Sequence, residues 1–128
     1  MDRVCHFEIP FADKPRATAF YQKVFGWQFI DVPGEAPYTF AITTPADEQG
    51  NPETPGGING GMFPREGGGG ATSPVLIIEV ASCEQRVREV EAAGGEILVK
   101  PTQIPNMGIY AQFKDPEGSV LGLWQPLA

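Results

Sequence analysis

The chain has one histidine, two cysteines, and nine lysines and arginines against sixteen aspartates and glutamates. Each scarcity excludes something. Zinc sites usually recruit several His or Cys side chains, so a metal here would have to lean on carboxylates. Cys5 and Cys83 lie far apart with no CxxC spacing; sequence allows a disulfide, but two free, largely buried thiols in a reducing compartment are the leading expectation. A net charge of −7 without a basic stripe excludes a surface built to contact phosphates, so no nucleic-acid partner is expected. The acidity serves solubility. No apolar run approaches bilayer length, and MDRVCHFEI has no basic-then-apolar leader; the expectation is a cytoplasmic protein without a membrane partner. GGGGATS lacks a P-loop lysine and opens a strand where a phosphate cradle needs a helix. No GxSxG nucleophile elbow is present.

What remains is ordinary globular material: 128 residues, 41% apolar and 20% charged, enough for one domain with its own core. VCHFEIP alternates as a strand does. Asp13 offers an N-cap and Pro15 an early helical turn, and Ala17, Phe20, Tyr21, Val24 and Phe25 recur at helical spacing over 14–25. Gly26 stands where a C-cap glycine would. WQFIDV and YTFAIT read as strands about a PGEAP turn, and a fourth strand falls near INGGMF. REGGGGATS divides the chain near its middle. SPVLIIEV is the strongest strand; Ser82 and Gln85 then carry the capping-box pattern before a helix over 83–93 that ends at Gly94-Gly95. EILV, a run around MGIYAQF, and SVLGLWQ complete the strands.

The two halves repeat. A shift of 69 sets His6 on Val75, Tyr21 on Val90 and Gly26 on Gly95; a shift of 62 sets Gly60 on Gly122 and Pro64 on Pro126. Such a period marks a duplicated supersecondary unit. Module one is expected over about 1–64, a flexible joint over about 65–73, and module two over about 74–128.

HFEIPFADKPRATAFYQKVFGWQF, EVEAAGGEIL and FKDPEGSVLGLWQ together resemble the vicinal-oxygen-chelate superfamily, which includes glyoxalase, bleomycin-resistance and extradiol-dioxygenase proteins. The resemblance implies an α+β fold of two βαβββ modules whose mixed sheet forms a cup. It also implies four metal-ligand positions, on the first, fourth, fifth and eighth strands. Carried over, these fall on His6, near Gly60 (within about two residues), on Val75 and on Gly122. One ligand of four is kept, so no metal and no other cofactor is expected. Alternation places Glu8 beside His6 and Glu79 beside Val75, which leaves a rearranged His6–Glu8–Glu79 metal site open, as well as rim carboxylates exposed to water.

Glycines at 60 and 122 are expected either to open volume in the cup or to mark a bulge or tight sheet curvature. Counting outward from them, Ile58, Met62, Val120 and Trp124 face the cup with Val75 and Ile77, an apolar lining suited to a small organic ligand. Trp124 also suits core or dimer packing. His6 is a relic of a metal site, a ligand contact or general base beside Glu8, or a metal ligand. The leading expectation is a metal-free protein that binds a small, mostly apolar molecule and pairs as a homodimer. Its rivals are a glyoxalase-like lyase or isomerase, or a dioxygenase-like enzyme, using His6 with Glu8 or a rearranged metal. An accessory module acting through its surface is the third reading.

Overall fold

The computed structural model describes residues 1–33, 38–65 and 72–127. The elements run β1 (Val4–Phe11), α1 (Lys14–Phe25), β2 (Gln28–Asp31), β3 (Thr39–Ile42), β4 (Gly60–Pro64), β5 (Val75–Glu79), α2 (Cys83–Ala92), β6 (Glu96–Ile104), β7 (Gly108–Lys114) and β8 (Val120–Pro126). This is βαβββ twice, an α+β chain. Positions 34–37 of the PGEAP turn and 66–71 of the joint lie outside the described residues.

The chain forms two compact units, His6–Pro74 and Val75–Ala128, the second joined by Met1–Cys5. The sequence reading gave residues 1–5 to module one. They group with the second unit because Glu79 N–H donates to the Arg3 carbonyl at 2.9 Å, Arg3 pairs with Glu79 at 3.3 Å, and Arg86 pairs with Asp2 at 2.6 Å.

Each unit repeats one topology. In the first, the order is β2-β3-β4-β1, with β1 parallel to β4 and the remaining pairs antiparallel. In the second, it is β6-β7-β8-β5, with β5 parallel to β8 and the rest antiparallel. β6 carries Pro101 and breaks register with β7 twice, which an edge strand tolerates.

The helix ends follow their capping chemistry. Asp13 accepts the Arg16 N–H at 3.0 Å and Pro stands in the first turn of α1. Gly26, at φ 74, ends the helix in the left-handed region with its N–H on the Gln22 carbonyl. Ser82 accepts the Gln85 N–H at 3.2 Å, but the Gln85 side chain turns to Glu89, so the capping box is half made. Before β8, Asp115 accepts the N–H groups of Glu117 and Ser119, each at 2.9 Å, which closes the DPEG turn.

The packing differs between units. α2 lays Val87 and Val90 on a core of Val80, Cys83, Ala111, Phe113 and Leu123. Burial pushes the Cys83 thiol up to about 11, so it behaves as a small apolar side chain. Cys5 is also free. In the first unit Ala41, Met62 and Thr39 are buried, and Tyr21 stacks on Trp27 at 4.7 Å. α1 has no fully buried residue, and Phe20, Val24 and Phe25 are more than half exposed. Among the described residues no helix is long and apolar enough to cross a membrane.

Candidate functional site

The faces of module one follow from its register. Glu8 pairs with Gly61 in the parallel β1/β4 ladder, and Phe40 pairs with Gly61 across β3/β4. Alternation then sets His6, Glu8, Gly61, Tyr38 and Phe40 on one face. Phe7 pairs with Gly60 and Ile9 with Met62, so Gly60 and Met62 belong to the opposite face. This corrects the grouping of Gly60 and Met62 with His6. Ile58 precedes β4, and its carbonyl accepts the Thr43 hydroxyl at 2.6 Å. The physical reason for the correction is a slip of one residue in the repeat alignment, and a one-residue slip turns every side chain of a strand over.

The volume expected at Gly60 is also filled. A Cβ there would lie 2.5 Å from the Phe7 carbonyl oxygen and 2.6 Å from its ring. Gly60 thus permits close approach of Phe7, whose ring lies 5.7 Å from that of Trp27. Gly61 is the glycine of the His6 face. A Cβ on it would overlap the Tyr38 hydroxyl, so the missing side chain is what lets Tyr38 reach across β4. That hydroxyl lies 3.0 Å from His6 Nε2, at hydrogen-bonding distance. Desolvation pulls the His6 pKa from 6.5 down to about 4, so the imidazole is neutral near pH 7. Glu8, expected at a wet rim as one alternative, is buried.

Module two shows the equivalent arrangement. β5/β8 pairs Ile77 with Gly122 and Glu79 with Trp124; β7/β8 pairs Gln112 with Gly122 and Tyr110 with Trp124. Val75, Ile77, Glu79, Val120, Gly122, Trp124, Tyr110 and Gln112 therefore share one face. Val75 and Ile77 are buried, whereas Glu79 stands at the surface with Arg3. Gly122 does not open a void: a Cβ would lie 2.5 Å from Ile77 Cδ1 and 3.2 Å from the Tyr110 ring. Gln112 Nε2 donates to the Tyr110 hydroxyl at 2.9 Å.

The equivalent glycines are thus Gly61 and Gly122, each with a tyrosine beside it, Tyr38 just before β3 and Tyr110 in β7. Sequence reasoning missed Gly61 and left the faces of Tyr38, Tyr110 and Gln112 unassigned. The signal was present: Tyr38-Thr39-Phe40 and Tyr110-Ala111-Gln112 occupy matching places in the two halves.

The donors do not fit a divalent metal. Among the described residues no three His, Cys, Asp or Glu side chains converge. Gly61, Val75 and Gly122 bring no side-chain donor, and the Tyr38 hydroxyl already takes up His6 Nε2.

The model of the Glyoxalase/Bleomycin resistance protein/Dioxygenase superfamily matches residues 3–123. "Putative glyoxylase CFP32" of Mycobacterium tuberculosis is 28% identical over 116 residues, covering 88% of this chain and 41% of that protein. The anthracycline biosynthesis protein DnrV of Streptomyces peucetius is 24% identical over 135 residues, covering 93% and 45%. The chain therefore spans less than half the length of these relatives. Methylmalonyl-CoA epimerase of Streptomyces coelicolor, solved with 2-nitronate-propionyl-CoA, superposes with a TM-score of 0.70 at 13% identity, covering 98% of both chains. That likeness establishes the glyoxalase-like fold. Family match, repeated βαβββ topology and fold agree: the chain belongs to the Glyoxalase/Bleomycin resistance protein/Dioxygenase superfamily.

Proposed function

We propose that each unit offers a small, mostly apolar molecule a binding face without metal, the His6 face in the first unit and the Gly122 face in the second. The observation that carries this reading is the His6–Tyr38 pair. It is a neutral imidazole and a phenol 3.0 Å apart on a face shared with Phe40. Uncharged hydrogen-bonding groups among apolar and aromatic side chains suit a small organic ligand, which they orient without a large desolvation cost. In the second unit, Val75, Ile77 and Trp124 give the Gly122 face its apolar lining.

An enzymatic reading is favoured by one observation, the burial of Glu8 on the His6 face. There Glu8 would take a proton from the ligand while Tyr38 or His6 donates a hydrogen bond to it. Under that reading Glu8→Gln removes turnover and spares binding.

Homodimer formation is part of the proposal. Its support is the exposed apolar face of α1, with Phe20, Val24 and Phe25.

The test is titration of a Trp27→Phe variant, in which Trp124 is the remaining tryptophan, with a panel of apolar and aromatic metabolites. Saturable quenching of Trp124 supports the reading for the Gly122 face, and ligand-induced shifts of the His6 imidazole signals that weaken in Tyr38→Phe support it for the His6 face. A flat response across the panel counts against it.

A further inference from the structure

Gln112 is 2% exposed, and its two amide ends have different fates. Nε2 donates to the Tyr110 hydroxyl at 2.9 Å. Oε1 is buried with no hydrogen-bond partner among the described residues. The module offers little to satisfy it. Across the ladders Gln112 faces Gly122, which has no side chain, and Val99, which is apolar. Its face-mates Val75 and Ile77 are apolar and buried. A buried acceptor left unsatisfied costs stability, and such groups concentrate where a ligand or bound water completes the bond.

We infer that Gln112 is a specificity-determining residue of module two, its Oε1 accepting a hydrogen bond from a hydroxyl or N–H on an otherwise apolar ligand. The planar carboxamide makes this directional, because with Nε2 held by Tyr110 the oxygen points away from that bond. Gly122 leaves no void beside the amide, but its filler can move. The space its side chain would fill holds Ile77 Cδ1, the mobile end of a flexible side chain that an entering group can turn aside. Tyr110 is the positioning residue, because it fixes the amide. The inference rests on the binding reading above and adds the ligand's chemistry to it.

The probes are 2-naphthol and its methyl ether, which share an apolar body and differ in the hydroxyl donor. By calorimetry the wild type is expected to bind 2-naphthol about tenfold more tightly than the ether, the worth of roughly one hydrogen bond. Gln112→Met, similar in size and apolar, is expected to bind both at the ether's affinity and to melt at or above the wild-type temperature. In the wild type, the Gln112 side-chain carbonyl carbon should shift in NMR spectra on adding 2-naphthol and stay still with the ether. Equal affinity for the two probes overturns the role of Gln112 and leaves the binding reading standing. So does a preference that survives in Gln112→Met, or a carbonyl that does not move. A melting temperature several degrees lower in Gln112→Met makes the residue structural and overturns the inference. Failure of the wild type to bind either probe removes both this inference and the binding reading.

Discussion

Acid should destabilise this protein through one identifiable group. The folded His6 pKa is lowered to about 4 by desolvation, while in the unfolded chain it returns to the ordinary 6.5. Above 6.5 both states hold a neutral ring and no proton is exchanged on folding. Between 6.5 and about 4 the unfolded chain binds a proton that the folded chain refuses, so stability falls as pH falls through that window. Integrated from about pH 7.5 to about pH 5, the expected loss is about 2 kcal/mol, and the full gap corresponds to about 3 kcal/mol. The assay is urea denaturation across this range for the wild type and His6→Gln, the variant lacking the loss while keeping the carboxylate contributions common to both. Because the chain has one histidine, its imidazole NMR signals give the folded pKa without assignment ambiguity. A folded midpoint near 6.5, or equal pH slopes in the two proteins, would refute the argument.

The glycines separate by what their missing side chains would meet. Gly60→Ala meets the Phe7 carbonyl, which is backbone, and should cost about 1–3 kcal/mol in thermal or urea melting. Gly122→Ala meets chiefly the movable end of Ile77 and should cost less, about 1 kcal/mol, rather than leaving stability unchanged as an open cup would. Gly61→Ala should displace the Tyr38 hydroxyl and move the His6 imidazole resonances much as Tyr38→Phe does; unchanged resonances would separate Tyr38 from His6. Light scattering should give twice the 13.8 kDa chain mass at tens of micromolar, by order of magnitude, and Phe25→Glu should lower it toward one chain.

The fold was legible because its signals are local and repeated. Asp13, Gly26 and Ser82 each set a helix end through a bond within three or four residues, Pro15 fixes the backbone of the first turn of α1, and the doubled element order exposed the duplication. The site was legible only in part. His6, Val75, Ile77, Gly122 and Trp124 could be placed by counting along their own strands. Gly60 and Met62 were assigned to the wrong face because the irregular loop over 43–59 leaves the register of β4 uncertain by one residue, and one residue is enough to exchange the faces. Tyr38 meets His6 across β4, and the surroundings of Gln112 beyond Tyr110 come from β6 and β8; strand periodicity carries no record of which strand lies alongside. Gly60 shows the same limit in another form. A glycine in a strand announces a close approach, but not whether a ligand or Phe7 is approaching.

The central claim is that the face carrying the His6–Tyr38 pair binds a small, mostly apolar molecule. Native mass spectrometry of freshly purified, untagged protein compared with the same sample denatured tests it most directly. A non-covalent adduct of a few hundred daltons, by order of magnitude for a pocket ligand, is predicted in the wild type and should be depleted in His6→Ala and Tyr38→Phe. A bare wild-type mass that stays bare after incubation with cell extract would contradict the account, as would an adduct equally retained by both variants.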